Sequence, residues 1–298
     1  MLRNLPFAVF FGAVIILPFV AGEYFLSVGL GLLMWIALTQ SWSLLSGLTG
    51  YISLGHVVFY GLGAYLAALS WGHLPLWAVL ALAGAGNFAF ATAISLPVLR
   101  VRGPYFVILT FGLAELVKFS VMAIESALGE YGRLLFDVPS MATLYWLMLG
   151  FAVIATAATQ LILSTRLGQG LIAIREDEET AETVGVPVTI YKSLAFGLSA
   201  AIPGVVGALM MLRTTYFEPQ QVFDPIVSFT IVSIAIIGGS DDSRGPLFGA
   251  VFLVLLSELF WAKAPQVYLI LQGILLIGFV VFLPEGICGR LFAQRARR

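Results

Sequence analysis

Ser53 and His56 are a pair of side chains whose types suit a nucleophile and its base. Residues three apart share a face of a helix, so the imidazole could accept the hydroxyl proton. The neighbouring sequence offers no acid to orient the imidazole and no oxyanion-stabilising element. We therefore expect no catalytic site and no enzymatic activity. For His56 the simplest interpretation is a hydrogen-bonded structural residue in a membrane segment.

The cysteine content and the lack of a phosphate-loop motif also argue against redox chemistry and ATP hydrolysis by the chain itself. Cys288 is the single cysteine, which excludes an internal disulfide and a thiolate metal cluster. The sequence contains no G-x-x-x-x-G-K-[ST] phosphate loop, so it does not bind ATP by that route. We expect no metal and no cofactor on this chain. Its energy must come from a partner protein or from an ion gradient.

Glu115 and Lys118 are ionisable residues inside an apolar run that also contains Thr110. Three apart on a helix, the two charges can pair, and a paired acid and base in a membrane costs far less than either alone. The favoured interpretation is a structural ion pair. The alternative is that the pair lines a substrate path.

A glycine-rich segment, residues 47–63, interrupts the apolar sequence between the second and third hydrophobic runs. Thr49, Tyr51, Ser53 and His56 alternate there with glycines. Helix breaks at membrane depth are tolerated where protein or a water-filled cavity satisfies the freed backbone groups, so this pattern is typical of a transport path. Close helix packing explains the glycines equally well. The hypothesis places Thr49, Tyr51, Ser53, His56, Thr110 and Glu115 along a substrate path.

The composition is that of a polytopic membrane protein. Hydrophobic residues make up 60% of the chain, charged residues 10%, and the mean hydropathy is +1.01. A helical span needs about 20 mostly apolar residues. The sequence therefore predicts an all-α fold in a single membrane domain, residues 1–298, with about ten transmembrane or re-entrant helices. The segments are 5–22, 24–45, 51–71, 75–99, 104–125, 142–163, 193–213, 225–239, 246–262 and 266–283.

The basic residues predict the orientation of these spans, because Lys and Arg near span ends stay in the cytoplasm. Alternating ten spans from an inside N-terminus puts eleven basic residues in the cytoplasm and three outside. Both termini are then cytoplasmic. The net charge of −1 gives no reason to expect a nucleic acid, and the basic tail 290–298 is expected at the lipid surface.

The longest polar stretch, residues 166–192, is called the polar segment below. Within it, Leu167, Leu171, Ile174, Ala181 and Val184 recur at helical spacing, with Glu178 as the only interruption. This pattern predicts one amphipathic helix over 167–185, ended by Gly185 in a left-handed conformation and by Pro187. The polar face is acidic, whereas helices that bind lipid are basic. We therefore expect it to dock on a protein, with a solvated connector as the alternative.

Five strings resemble the membrane permeases of branched-chain amino acid ABC importers, and the LivM-type subunit most closely. They are SLGHVVFYGLGAY, LRVRGPYF, LIAIREDEETAETVGVPVTIYKSLAF, GPLFGA and LPEG, in that order. The resemblance covers about residues 40–288 and implies that the polar segment is a coupling helix. The residues that it places against an ATPase are Leu171, Ile174, Arg175, Glu176, Asp177, Glu178, Glu179, Ala181 and Gly185.

The same resemblance implies the surroundings of the protein. These are a bacterial inner membrane, a homologous partner permease, two cytoplasmic ATP-binding subunits that use ATP, and an extracytoplasmic solute-binding protein. The implied solute is a branched-chain amino acid, with urea and short amides as related cargo. The residues leave one rival open, a secondary transporter driven by protons or sodium in which Glu115, Glu258 and His56 couple the ion.

Overall fold

The computed structural model describes residues 5–20, 22–129, 132–239, 243–260, 265–283 and 286–289, and they are almost entirely helical. The helices are α1 Leu5–Val20, α2 Glu23–Trp42, α3 His56–Ser70, α4 Leu76–Val98, α5 Pro104–Leu128, α6 Met141–Leu163, α7 Arg166–Glu176, α8 Glu178–Thr183, α9 Val188–Thr214, α10 Pro219–Val222, α11 Pro225–Gly238, α12 Gly245–Phe260 and α13 Pro265–Phe282. Two short antiparallel strands, β1 Arg133–Leu134 and β2 Tyr216–Phe217, pair with each other.

The prediction of an all-α polytopic membrane protein is confirmed. Seven helices among the described residues are long and apolar enough to cross a membrane. Helices α3 and α12 are apolar but shorter, at 15 and 16 residues, which corresponds to about 22 to 24 Å at 1.5 Å per residue. The count of ten spans therefore stays a prediction. The arginines near both termini that set the predicted orientation lie outside the described residues.

Helix α9 lies at the centre of the bundle and packs against α2, α3 and α4. Glycines allow the closest of these approaches, because a Cβ atom on Gly63 would lie 2.0 Å from the carbonyl oxygen of Gly204. A Cβ atom on Gly207 would likewise lie 2.0 Å from the carbonyl oxygen of Tyr60. The close-packing interpretation of the glycines is thus confirmed for α3, whose backbone touches that of α9.

The bundle has two distinct ends. At one end, α5 and α9 run into the two-stranded pair, and Arg133 binds the buried carboxylate of Glu125 at 2.7 Å. At the other end, the polar segment lies beneath the ends of α2 and α4 and the start of α9. The first end is called the strand end below, and the second is called the α7/α8 end. Helix α9 begins at Val188, inside the polar segment, so the segment is continuous in sequence with the central helix of the bundle.

Candidate functional site

A break in the helices, residues 50–55, lies at the α7/α8 end. Helix α2 continues through a π-helical turn, Ser43–Gly47, and the chain is non-helical from Gly50 until α3 begins at His56. Gly50 has φ 75°, a left-handed conformation that suits glycine. The predicted break is therefore present. The predicted third span 51–71 was wrong at its start, because the polar and glycine residues 51–55 are not helical and α3 begins five residues later, at His56.

The hydroxyl groups of Ser53, in the break, and of Thr49, just before it, bind backbone groups. Ser53 Oγ accepts a hydrogen bond from Gly55 N at 3.2 Å, and Thr49 Oγ1 donates to Leu45 O at 2.7 Å. Ser53 precedes helix α3, so the expectation that Ser53 and His56 share a helix face was wrong. His56 is fully buried, and neither ring nitrogen has a hydrogen-bond partner among the described residues. A nucleophile and base pair is not formed there.

An apolar cavity of about 340 Å³ lies directly against the break. Ser53, Gly55 and Thr110 contribute its few small or polar positions. Both hydroxyl groups are already engaged, since Thr110 Oγ1 accepts from Leu54 N at 3.1 Å. The remaining lining comes from α3, α4, α5 and α9: Val58, Phe59, Phe90, Ile94, Pro97, Val98, Leu109, Leu113, Leu116, Val117 and Phe196.

The residues of the path hypothesis occupy different places in the bundle. Ser53 and Thr110 line the apolar cavity. Thr49 and His56 are buried and do not belong to the lining of that cavity. Glu115 lies one helical turn further along α5, where its carboxylate pairs with Lys118 Nζ at 2.6 Å. The predicted pairing within α5 is thus present, and the pair lies outside the lining of the cavity.

The polar segment contains two helices, α7 and α8, instead of the single predicted helix over 167–185. They meet at Asp177, whose backbone is extended at φ −158° and ψ 112°. The Asp177 carboxylate accepts a hydrogen bond from Thr180 N at 2.9 Å, which caps α8 and lowers the pKa of Asp177. The cap explains the error, because an aspartate competes with the helical backbone and favours a new helix start.

The predicted apolar stripe is mostly correct. Leu171, Ile174 and Ala181 are buried, and they belong to a cluster that includes residues of the π turn and the break. Val184 was wrongly placed in the stripe, since 73% of its surface is exposed. The predicted left-handed end is confirmed, with Gly185 at φ 91°. Because α8 ends at Thr183, Val184 falls at its C-terminal cap and is exposed.

Arg175 attaches α7 to the π turn. Its Nη1 donates to the carbonyl oxygen of Gly47 at 2.8 Å. Its aliphatic stem also covers Gly50, where a Cβ atom would lie 3.3 Å from Arg175 Cγ. The helix ends at Thr49, so the Gly47 carbonyl is among the last carbonyls, which lack an intrahelical donor, and a guanidinium is well suited to satisfy it. The sequence named Arg175 as a coupling residue but gave no reason to expect this contact.

Glu178, which interrupts the apolar stripe, faces the bundle. It is part of a partly buried cluster, called the Glu178 cluster below, that also contains Tyr51, Lys192 and the exposed Arg102. Its carboxylate accepts hydrogen bonds from Lys192 Nζ and Tyr51 Oη, both at 2.7 Å, and Arg102 Nη2 lies 3.2 Å away. Lys192 Nζ also donates to Leu99 O at 3.2 Å. The cluster joins the break, the connection between α4 and α5, helix α8 and helix α9.

The protonation states in this cluster follow from its contacts. Burial alone would raise the pKa of the Glu178 carboxyl, but the hydrogen bonds from Lys192 and Tyr51 outweigh it and the pKa lies below its usual value. Burial and the Glu178 carboxylate both raise the pKa of the Tyr51 hydroxyl. At neutral pH the carboxylate is therefore charged, and the tyrosine is a neutral donor to it.

The other acids of the polar segment point outward. Glu176 and Glu179 are exposed. The carboxylate of Glu179 is 4.0 Å from Arg102 Nη1, a long distance for an ion pair. The segment thus has an inner surface that contacts the bundle and an outer surface that carries the exposed acidic side chains. Sequence reasoning missed Arg102 and Lys192 as members of the cluster. The signal that could have found them was the acid at an apolar-stripe position, because a buried carboxylate requires a cation.

The comparisons with known proteins agree on one family. The family described as branched-chain amino acid transport system / permease component matches residues 24–280. The chain is similar to the high-affinity branched-chain amino acid transport system permease protein LivM of Salmonella typhimurium, with 27% identity over 304 residues, 91% of this chain and 71% of the relative. The LivM protein of Escherichia coli is 26% identical over 305 residues, with the same coverage. No solved structure matches the chain.

Proposed function

The chain belongs to the family of branched-chain amino acid transport system permease components, and from this premise we propose that it is the permease subunit of an ATP-driven importer. The observation that carries the proposal is the double attachment of the polar segment, to the π turn and to the break. Arg175 binds the carbonyl of Gly47, and Glu178 binds the hydroxyl of Tyr51. A force on the polar segment therefore reaches the broken membrane segment through short polar contacts.

The polar segment is proposed to dock on a cytoplasmic ATP-binding subunit. Its outer surface carries Glu176 and Glu179, which are exposed and make few contacts within the chain. Because the apolar stripe is buried against the bundle, the partner would meet the acidic outer surface, which suits a surface of complementary positive charge. ATP is bound and hydrolysed by two such partner subunits. Their closure moves α7 and α8 and thereby alternates access to the path.

The proposed solute is a branched-chain amino acid. Both LivM relatives are described as branched-chain amino acid permeases. The apolar cavity of about 340 Å³ also suits an aliphatic side chain better than urea or a short amide, which would leave it without polar partners. Thr49, Tyr51, Ser53, His56, Thr110 and Glu115 are proposed to lie along or beside the path, with Ser53 and Thr110 at the cavity wall.

The proposed assembly contains a homologous second permease, two ATP-binding subunits and an extracytoplasmic binding protein that delivers the solute. The chain is a multi-pass membrane protein, and the proposed location is the bacterial inner membrane. The basic residues favour cytoplasmic termini and a cytoplasmic polar segment. The chain itself is proposed to hold no cofactor and to catalyse no reaction.

Purification followed by reconstitution tests this proposal. The chain is isolated in mild detergent, its accompanying proteins are identified, and leucine uptake is measured in proteoliposomes with ATP or with an ion gradient. We expect an ATP-binding subunit to accompany the chain and uptake to require ATP. Uptake by the chain alone, driven by a proton or sodium gradient, would instead support the secondary transporter and refute the importer.

A further inference from the structure

A polar cavity of about 320 Å³ lies at the α7/α8 end, between the end of α4 and the start of α9. Helix α4 ends at Val98 and α9 begins at Val188, and both helices are long and apolar enough to cross a membrane. The cavity therefore lies where two membrane spans end, at the depth of lipid headgroups. Its lining residues are Ser95, Leu96, Leu99, Arg100, Arg102, Glu178, Glu182, Val188, Thr189 and Lys192.

The three cations of this polar cavity differ in how many of their N–H groups are free. Lys192 Nζ donates to two side chains and to one carbonyl, so its three donors are engaged. Arg102 contacts Glu178 through Nη2, and 55% of its side chain is exposed. Arg100 is exposed and makes no ion pair with the part of the chain that the structure describes. The two arginines therefore keep N–H groups for a ligand.

The start of α9 adds to the positive character of the polar cavity. This helix is 27 residues long, its N-cap is Pro187, and no side chain caps it. The first N–H groups of a helix lack intrahelical acceptors, and together with the helix dipole they favour an anion. Thr189, in the first turn, also lines the cavity. One exposed carboxylate, Glu182, opposes an anion, and the two arginines with the helix start outweigh it.

An apolar surface adjoins these polar groups. Leu96 belongs to the cavity lining, is exposed, and lies one turn of α4 before Arg100. Ile190, in the first turn of α9, is also exposed. A free anion would leave these side chains uncovered, whereas the acyl chains of a lipid would cover them. Basic cavities between membrane helices are typical binding places for acidic lipid headgroups.

We infer that the polar cavity binds the phosphate group of an anionic phospholipid, held by Arg100, Arg102 and the start of α9. A guanidinium suits this ligand because its planar fork of N–H donors matches the oxygens of a phosphate. The inference goes beyond the proposed function, since it requires a membrane but no ATP-binding partner. Because Arg102 also contacts Glu178, the bound lipid lies beside the Glu178 cluster.

Lipid titration of the full chain tests this site. The chain is purified in detergent, and native mass spectrometry gives the dissociation constant of the first bound lipid. Phosphatidylglycerol, which is anionic, is compared with zwitterionic phosphatidylethanolamine that carries the same acyl chains. Arg100→Gln removes one charge from the polar cavity. Arg166→Gln is the matched control, because it makes the same change at an exposed residue of α7 outside the cavity lining.

We expect the parent to bind phosphatidylglycerol at least about fivefold more tightly than phosphatidylethanolamine. Arg100→Gln should reduce this preference about fivefold, which corresponds to one arginine at a lipid surface. Arg166→Gln should keep the preference within about twofold. The ratio of the two constants also controls for folding, since a misfolded variant would lose both lipids.

An unchanged preference in Arg100→Gln would overturn the site. An equal reduction in Arg166→Gln would do the same, because it would show a diffuse attraction to basic residues. Inorganic phosphate is added as a competitor to separate a lipid from a free anion. We expect it to displace phosphatidylglycerol only at far higher concentration, and displacement at equal concentration would refute the lipid. These results do not depend on ATP-driven uptake, so failure of the importer proposal leaves them intact.

Discussion

Two groups of charged residues in this chain differ in what they connect. Glu115 and Lys118 pair at 2.6 Å within one turn of α5. The Glu178 cluster joins four positions that are up to 141 residues apart, including Tyr51 and Lys192. The pair in α5 stabilises a single helix and moves with it as a unit. The cluster can only form when separate elements come together, so it responds to their relative movement.

The comparison indicates where transport should be sensitive to charge. Neutralising both charges of a pair inside one helix changes only the free energy of burying those two side chains in the membrane. Breaking the Glu178 cluster or the Arg175 contact separates the polar segment from the break. We therefore expect the largest effects on uptake at the α7/α8 end and smaller effects in α5.

Arg175→Glu is expected to have the largest effect on uptake. The variant loses the hydrogen bond to the Gly47 carbonyl and places a carboxylate beside that oxygen. We predict a fall in ATP-driven leucine uptake of about a hundredfold, equivalent to about 3 kcal/mol, with normal membrane insertion. Arg166→Glu makes the same charge reversal at an exposed residue of α7 and should retain uptake within about twofold. Equal loss in both variants would argue against a specific contact of Arg175.

Lys192→Met is expected to destabilise the folded protein. It leaves the Glu178 carboxylate, whose side chain is 13% exposed, without its nearest cation. We predict a loss of about 3 kcal/mol in the free energy of unfolding, measured by denaturant in detergent micelles. Adding Glu178→Gln to this variant should recover part of the loss, because no unpaired charge then remains. A double variant that is less stable than Lys192→Met would contradict the pairing.

The pair in α5 provides a smaller test of the same kind. Lys118→Gln leaves the Glu115 carboxylate unpaired in a membrane segment, at a cost of about 1 to 2 kcal/mol. The double variant with Glu115→Gln should be more stable than the single variant. Leucine uptake by the double variant should fall by only about threefold, since no contact between helices is lost. A tenfold or greater fall would show that these residues do more than balance each other's charge.

The pH dependence of stability should show the smallest effect. The pKa of Glu178 is lowered from its usual value of 4.5 in the folded protein, so its stabilisation is fully present above about pH 4.5. That stabilisation is lost as pH falls through the lowered pKa. The difference in melting temperature between the parent and Glu178→Gln should therefore shrink on acidification from pH 7 to pH 4. A difference that is constant with pH would show that the carboxylate charge is unimportant.

The sequence predicted features that depend on local patterns. The apolar runs predicted the membrane helices, and the spacing of Glu115 and Lys118 predicted their pairing, because both arise within one element. The left-handed Gly185 was likewise readable from its place at a helix end. Each of these features is determined by residues within a few positions of one another.

Features that depend on three-dimensional packing could not be predicted. Arg102 and Lys192 approach Glu178 only after α4, α5, α8 and α9 are assembled, and nothing in their local sequences marks them as partners. The interruption between α7 and α8 at Asp177 was not predicted, because the helical periodicity of the sequence continues through that position. The acid at position 178 was the useful anomaly. A charge on an apolar stripe indicates either an error in the stripe or a partner from elsewhere in the fold.

The central claim is that the polar segment transmits ATP hydrolysis to the break through Glu178. The most direct test is the ratio of leucine transported to ATP hydrolysed, measured in reconstituted transporters that carry Glu178→Gln or Glu182→Gln. We predict that Glu178→Gln retains at least about half of the hydrolysis rate while its uptake falls about tenfold, and that Glu182→Gln keeps the parent ratio. A ratio that is the same in both variants and the parent would contradict the claim.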